Sequence, residues 1–390
     1  MRLNGEITNH PFGVVREMIQ VQDRPLIGVY YSSKALAKMT NLGPSDRTLA
    51  LVRAAEDLDI NIIFFSLDDV DMEEQLIQGT YLDRENNSWK QNLFPYPRVF
   101  YKRHGVYSAT ERYLNFLDQL RQSGSFFLNH PFSFNKCSVY EVLKADPAAS
   151  HFLPETRLLK DKNTLASFLK RYPNAYIKAC LGSRGTRVAR ITVLASDKFY
   201  WSHYQEQAKG KVIGGLNQLY KEIQRLVLGR GCLIQSAIDL IRYNNRLVDF
   251  RAEVQRTEDG RVIALGIPVR VGAERSPITT HAESFPYDEF LRSRLGFGQV
   301  RLQQLEADMQ KFLGVIYSVL EGAYGPLGEV GIDFGLDTQG RLWFIECNSQ
   351  SAKVSLFNSY SEEVIVNHFK TLINYAASLT VQAEELNNFS

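Results

Sequence analysis

No apolar run in this 390-residue chain approaches the roughly 20 residues that cross a bilayer, so no membrane-spanning segment is expected. Its opening, "MRLNGEITNHPFG", lacks the apolar core of a secretory signal. Charge of one sign is also missing. Forty-five Lys and Arg face 43 Asp and Glu, and a formal charge of +2 argues against a general nucleic-acid or membrane-surface binder. Cysteine is sparse: residues 137, 180, 232 and 347 have no metal-ligand spacing and read as small buried residues of a reduced cytoplasmic protein. There is no low-complexity tract. No Gly-x-Gly-x-x-Gly follows the first apolar run, which leaves a dinucleotide fold unsupported. No Gly-x-Ser-x-Gly occurs, and with seven histidines no Ser-His-Asp set can be picked out. His104, His130 and His281 read as satisfied or solvated side chains, not ligands.

What remains is a globular composition, 44% apolar and 23% charged, long enough for two or three domains. Apolar runs at 25–31, 61–67 and 97–103 predict strands, and the spacing from Asp46 onward and over 109–122 predicts helices, with Asp46 as a cap. That alternation points to a parallel α/β sheet over about 25–130. Beyond it, helices are expected at 137–145, 161–172, 215–227 and 300–322, with strands between them. A closing helix follows residue 361, and a frayed tail is expected past 380.

The stretch 331–350, "GIDFGLDTQGRLWFIECNSQ", has the pattern of a β-hairpin turning at Asp337-Thr338-Gln339-Gly340. A two-residue or four-residue loop pairs Phe334 with Trp343 and Asp333 with Phe344. Glu346 then falls opposite Gly331, diagonal to Asp333 on the same face, and Asn348 points the same way. A slip of one residue would separate them. Two carboxylates and an amide oxygen suit a hard cation such as Mg²⁺. The same three residues would also serve as an ordinary solvated face, and the hairpin alone does not decide.

In "YIKACLGSRGTRVARI" (176–191), Lys178 precedes Gly182-Ser183-Arg184-Gly185. Glycines let backbone N–H groups fold over phosphate oxygens and a lysine adds a point charge, although no Walker spacing is present and a plain hairpin turn reads equally well. "VDFRAEVQR" and "PVRVGAERS" put Arg251, Arg270 and Arg275 on or after nearby strands. They could stabilise a transferring phosphoryl group, or pair at the surface with acids such as Asp249 and Glu253.

The ordered set "LFPYPRVFYKR", "FNKCSVYEVLKADPAASHFLPETRLL", "YIKACLGSRG", "LIQSAIDLI…RLVDFRAEVQR", "RVG" and "GIDFGLDTQGRLWFIECN" resembles the ATP-grasp superfamily. Within it, the chain is most similar to the YheC/YheD-type proteins associated with endospore coats. The resemblance implies an α/β (α+β) fold in which two α+β subdomains, 131–234 and 235–378, sandwich a nucleotide. A parallel α/β pre-ATP-grasp domain (1–130) would precede them and a tail (379–390) would follow. It implies ATP with Mg²⁺, or Mn²⁺ in its place. Lys136 and Lys178 would contact the phosphates and adenine side, with Gly182, Ser183 and Gly185 in a loop over the phosphates. Gln235, Ala237 and Ile238 would line the adenine, and Asp239 would lie near the ribose. Asp333, Glu346 and Asn348 would hold the metal. Arg270, with Arg251, would serve catalysis. The activity implied is an ATP-dependent carboxylate-amine ligase working through an acyl-phosphate, with an unidentified acceptor and a spore-coat association. The alternatives are a nucleotide-binding coat protein without turnover, or a phosphotransferase. Ala179 in place of a common Pro, "SQSAKV" after the metal strand and "THAESFPYDEF" after the arginine strand depart from the family pattern.

Overall fold

The computed structural model describes residues 9–10, 13–14, 25–103, 110–130, 132–182, 187–205, 207–274, 276–279 and 283–388. His104, Ser183, Gly185, Arg275 and His281 lie outside the described residues. The chain divides into two compact units, one of 1–130, 256–261 and 362–390, the other of 131–255 and 262–361.

In the first unit, strands Leu26–Tyr30, Asn61–Phe65, Val99–Lys102 and Phe126–Leu128 pair in parallel, in the spatial order 61–65, 26–30, 99–102, 126–128. Such strands are buried on both faces, which is why they read as unbroken apolar runs. Helix Asp46–Asp57 is capped by Ser45, whose Oγ accepts the Thr48 N–H; Asp46 is the first helical residue instead. An antiparallel hairpin, Leu76–Asp83 with Ser88–Pro95, joins the sheet edge. Helix Glu362–Asn388 packs on Asp46–Asp57, with Lys370 Nζ 2.7 Å from Asp57, and stays helical past residue 380. The span expected to end as subdomain and tail is therefore one helix of the first unit.

The second unit contains two antiparallel sheets. The smaller runs Thr156–Leu158, Cys232–Ser236, Asn174–Ala179, Val188–Ala195, Lys198–Gln205 and Gln207–Gly214. Helices Lys162–Arg171 and Leu216–Val227 bury one face of it around Phe168, Ile177, Ile191, Trp201 and Ile223. Its other face carries Tyr176, Lys178, Arg190 and Gln235, because side chains alternate along each strand.

The larger sheet is ordered Glu283–Pro286, Pro268–Val271, Arg246–Arg256, Glu329–Leu336, Leu342–Asn348. Along "LVDFRAEV", Val248, Phe250, Ala252 and Val254 meet the 26-residue helix Gln299–Tyr324, and Phe250 stacks on Phe334 at 5.1 Å. Asp249, Arg251 and Glu253 therefore share the opposite face. Burying an aromatic pair of this size contributes about 3 kcal/mol or more.

The hairpin departs from its expected register. Its loop has three residues: Gly340 N–H donates to the Asp337 carbonyl, Gly340 takes φ +86°, and Leu336 faces Leu342. That slips the ladder by one residue, pairing Phe334 with Phe344. Ile345 then forms a β-bulge, and the second slip sets Asp333 directly opposite Glu346 and Gly331 opposite Asn348.

Candidate nucleotide and metal site

The polar face of the larger sheet gathers its charges by strand pairing. Arg251 stands across from Asp333 and Asp249 across from Arg270. Arg251 forks onto Asp333: its Nε donates to Oδ1, and its Nη2 to Oδ2 at 2.7 Å. Arg270 forks onto Asp249 through Nε (2.7 Å) and Nη2 (2.6 Å), and also reaches Asp333 Oδ1 at 3.2 Å. Asp333 is thus shared by two arginines, and Thr279 Oγ1 donates to Asp249 as well. The surface pairing considered for Arg270 exists with Asp249, but it is buried, with only 12% and 5% of the two side chains exposed.

Lysines reach the same face from other elements. Asn135 caps helix Lys136–Ala145 by accepting the Cys137 and Ser138 N–H groups, which fixes the helix start. Lys136 Nζ lies 3.1 Å from Glu346 Oε2 and donates to the Gly182 carbonyl at 3.2 Å. Lys178 Nζ donates to the Ile345 carbonyl at 3.0 Å. That carbonyl belongs to the bulge, the point where the ladder is interrupted. Gly331 leaves room here, since a Cβ would come within 3.0 Å of Arg251 Nη1 and of Ser351.

Burial works against the charged forms of Glu346, Lys178, Lys136 and Asp249, and the neighbours decide the result. Burial would raise the Glu346 carboxyl, but Lys136, Lys178 and Arg251 hold it down at about 2. For Lys178 burial prevails and lowers the ammonium to about 8. Burial also disfavours the Lys136 ammonium, yet Glu346 raises it above its ordinary value. The Asp249 carboxyl is pushed up by burial despite Arg270. Burial drives the thiol of neighbouring Cys347 upward too.

Lys136, Lys178, Arg251, Arg270, Asp333 and Glu346 therefore meet in one set of ionisable side chains, with Asn348 two residues along the strand from Glu346. Gln235 lies on the face of the smaller sheet that carries Lys178 and donates to Thr156 Oγ1 at 2.9 Å. Ala237 N–H donates to the Asn174 carbonyl. The Asp239 carbonyl and carboxylate accept the N–H and hydroxyl of Thr338 in the hairpin loop. The chain at 237–240 thereby links the two sheets, and Leu240 bridges Asp337.

The sequence reading missed residues that complete this face. Ser351 donates to Glu253 at 2.5 Å and accepts from Arg251 at 3.3 Å, and Lys353 lies 2.6 Å from Glu329. Ser351, Lys353, Glu253 and Glu329 are all buried. The period-two run Asp249-Arg251-Glu253 was the available signal, because three ionisable residues sharing one face of an otherwise apolar strand imply a common partner surface. Cys137 and Cys180, expected as reduced thiols, are joined in a disulfide; only Cys232 and Cys347 are free, and both are buried. Forty-three residues separate the pair in sequence, which hid it.

The curated proteins similar to this chain include the endospore coat-associated proteins YheD and YheC of Bacillus subtilis (strain 168). YheD is 25% identical over 343 residues, covering 86% of this chain and 74% of its own. YheC is 20% identical over 328 residues, covering 82% and 88%. Among solved structures, the ATP-grasp ligase PsnB, complexed with a phosphomimetic variant of its minimal precursor, Mg and ADP, superposes with a TM-score of 0.52. It does so at 11% identity, over 90% of this chain and 98% of its own. The family model of YheC/D-like ATP-grasp proteins matches residues 124–379, and the chain belongs to that family.

Proposed function

We propose that this protein binds ATP with Mg²⁺ on the polar face of the larger sheet and uses it to activate a carboxylate for capture by an amine or similar nucleophile. The observation that carries the reading is the convergence of groups on that face. Lys136 and Lys178 from one side and Arg251 and Arg270 from the other meet around Asp333 and Glu346. Cations beside paired carboxylates are the set that a metal–triphosphate requires.

The residues fit a hard divalent cation. Asp333 and Glu346 face each other across the bulge with Asn348 beside them, and Glu346 is held ionised. Bound there, Mg²⁺ would neutralise developing charge on the phosphate oxygens. Asp333 would release one of its two arginines to bind it, freeing that guanidinium for a phosphate oxygen. Lys136 and Lys178 would hold the phosphates, and Gln235, Ala237 and Ile238 the base. Ser183 and Gly185 are assigned to the phosphate loop on the same reading, and Asp239 to the ribose. The substrate carboxylate oxygen attacks the γ-phosphorus and ADP departs. Arg270 and Arg251 stabilise the transferring group, and the nucleophile then displaces phosphate from the acyl carbon. The names of YheD and YheC support an association with the spore coat.

A second reading, a nucleotide-binding coat protein without turnover, is favoured by one feature. The segment after the metal strand, where an acceptor would be recognised, is pinned by the buried Ser351–Glu253 and Lys353–Glu329 contacts. The test has two parts. Mg–ATP should raise the melting temperature by mass action, and Glu346→Ala should abolish most of that shift. ADP and phosphate release is then measured with a panel of carboxylates and amines. Absence of a Mg-dependent shift in the wild type overturns the site. A shift without turnover across the panel selects the second reading.

A further inference from the structure

The geometry points to a thiol–disulfide site that sets the readiness of the nucleotide face, an inference resting on the reading above. Cys137 directly follows Lys136, and Cys180 lies two residues after Lys178 and two before Gly182. Their Cα atoms are 5.1 Å apart, inside the range of about 4.4–6.8 Å that a disulfide spans. The backbones are also matched: Lys136 N–H donates to the Cys180 carbonyl at 2.9 Å, and Cys180 N–H to the Gly231 carbonyl at 2.7 Å. Gly231 leaves space for the Cys180 sulfur, which would lie 3.1 Å from a Cβ there.

The bond thus ties the helix start that presents Lys136 to the strand end that presents Lys178 and Gly182. Without it, two hydrogen bonds join those pieces, from Lys136 N–H to the Cys180 carbonyl and from Lys136 Nζ to the Gly182 carbonyl. With it, Lys136 stays against Glu346 and Gly182, so binding Mg–ATP orders less chain. The reactive pair is also selective. Cys137 is partly exposed, whereas the free thiols Cys232 and Cys347 are buried.

The co-reactant is a low-molecular-weight disulfide. Either thiolate of the pair, Cys137 being the more accessible, attacks a sulfur of the small molecule, breaking its S–S bond and releasing one small thiol. The other cysteine then attacks the mixed disulfide and releases the second thiol. Two electrons and two protons pass from the protein to the small molecule.

Full-length protein is treated with oxidised glutathione or with dithiothreitol, and Mg–ATP affinity is measured by calorimetry in each state. Non-reducing peptide mapping follows the bond. The expected result is a Cys137–Cys180 linked peptide in the oxidised sample and affinity about tenfold tighter there, reversed by dithiothreitol. Cys137→Ser should show the weaker affinity under both conditions. Equal affinity in the two states with the linkage confirmed, or no linked peptide, overturns the proposal while leaving the nucleotide site standing. If neither state binds Mg–ATP, the nucleotide reading falls and this inference with it.

Discussion

Asp333 stands directly opposite Glu346 because Ile345 is an extra residue in its strand. The three-residue loop alone would put Glu346 across from Ile332, on the apolar face against the Gln299–Tyr324 helix. The bulge returns it to the polar face and presents the Ile345 carbonyl to Lys178. One irregularity therefore joins the two carboxylates and seats the lysine.

Deleting Ile345 separates these effects. Glu346 would follow Phe344 directly and still meet Asp333, but Lys178 would lose its carbonyl acceptor. The expected outcome is a folded protein that retains Mg-dependent ATP stabilisation with affinity weakened by about tenfold, as for one hydrogen bond to a charged group. Nucleotide titration with circular dichroism as the fold control checks it. Complete loss of metal dependence would show that the carboxylate pair itself needs the bulge.

Asp333 holds two arginines, whereas Arg251 shares its acid with Arg270. Asp333→Asn leaves Arg251 buried without its carboxylate, while Arg270 keeps its fork on Asp249, at a cost of roughly 3–5 kcal/mol. Arg251→Met leaves Arg270 on Asp333 and should cost less, about 1–3 kcal/mol. Chemical denaturation of the two variants gives the order. The reverse ranking would mean that Asp333 is a weaker hub than its contacts indicate.

Glu346 titrates at about 2 in the folded chain, below its ordinary value. Its ion pairs stabilise the fold fully above its unfolded pKa near 4.5, and that stability fades as pH falls toward 2. With its side chain 24% exposed and the same contact shared with Lys136, the effect is at most roughly 3 kcal/mol. Acid unfolding of Glu346→Gln should be flatter over this window than that of the wild type. Identical profiles would show that other carboxylates dominate acid stability.

Several elements were readable from short-range pattern. Three parallel strands of the first unit, Leu26–Tyr30, Asn61–Phe65 and Val99–Lys102, are plain apolar runs, while the three-residue strand Phe126–Leu128 went unread. Lys162–Arg171 announces itself by the Asp161 cap, which accepts the Thr164 N–H at 2.7 Å. The clustering of Asp333 with Glu346 was also anticipated, but through the wrong register. Phe334 faces Phe344, not Trp343, because an αL Gly340 loop and a bulge both leave only weak marks in sequence. The Lys198–Gln205 and Gln207–Gly214 hairpin went unread, as did the Lys353–Glu329 pair. Hydrophobic periodicity says nothing about which distant strands meet. The departure at "SQSAKV" turned out to be a buried segment fixed from beneath, a property that depends on Glu253 and Glu329 from two other strands.

Lys178 supplies the sharpest test of charge at the site. Burial lowers its ammonium to about 8, so it is still protonated at neutral pH in the free protein. Between that value and its ordinary range near 10.5, the unfolded chain binds more protons than the folded one, and burial of this lysine costs progressively less as pH rises. Nucleotide affinity should run the other way. As pH climbs through 8, the free protein loses the charge that would meet the phosphates, and affinity for Mg–ATP should fall by up to about tenfold per pH unit. Lys178→Met should bind weakly with a profile flat between pH 7 and 9.5. A wild-type affinity that holds constant over the same interval would remove Lys178 from the phosphate site and leave it as a structural donor to the bulge.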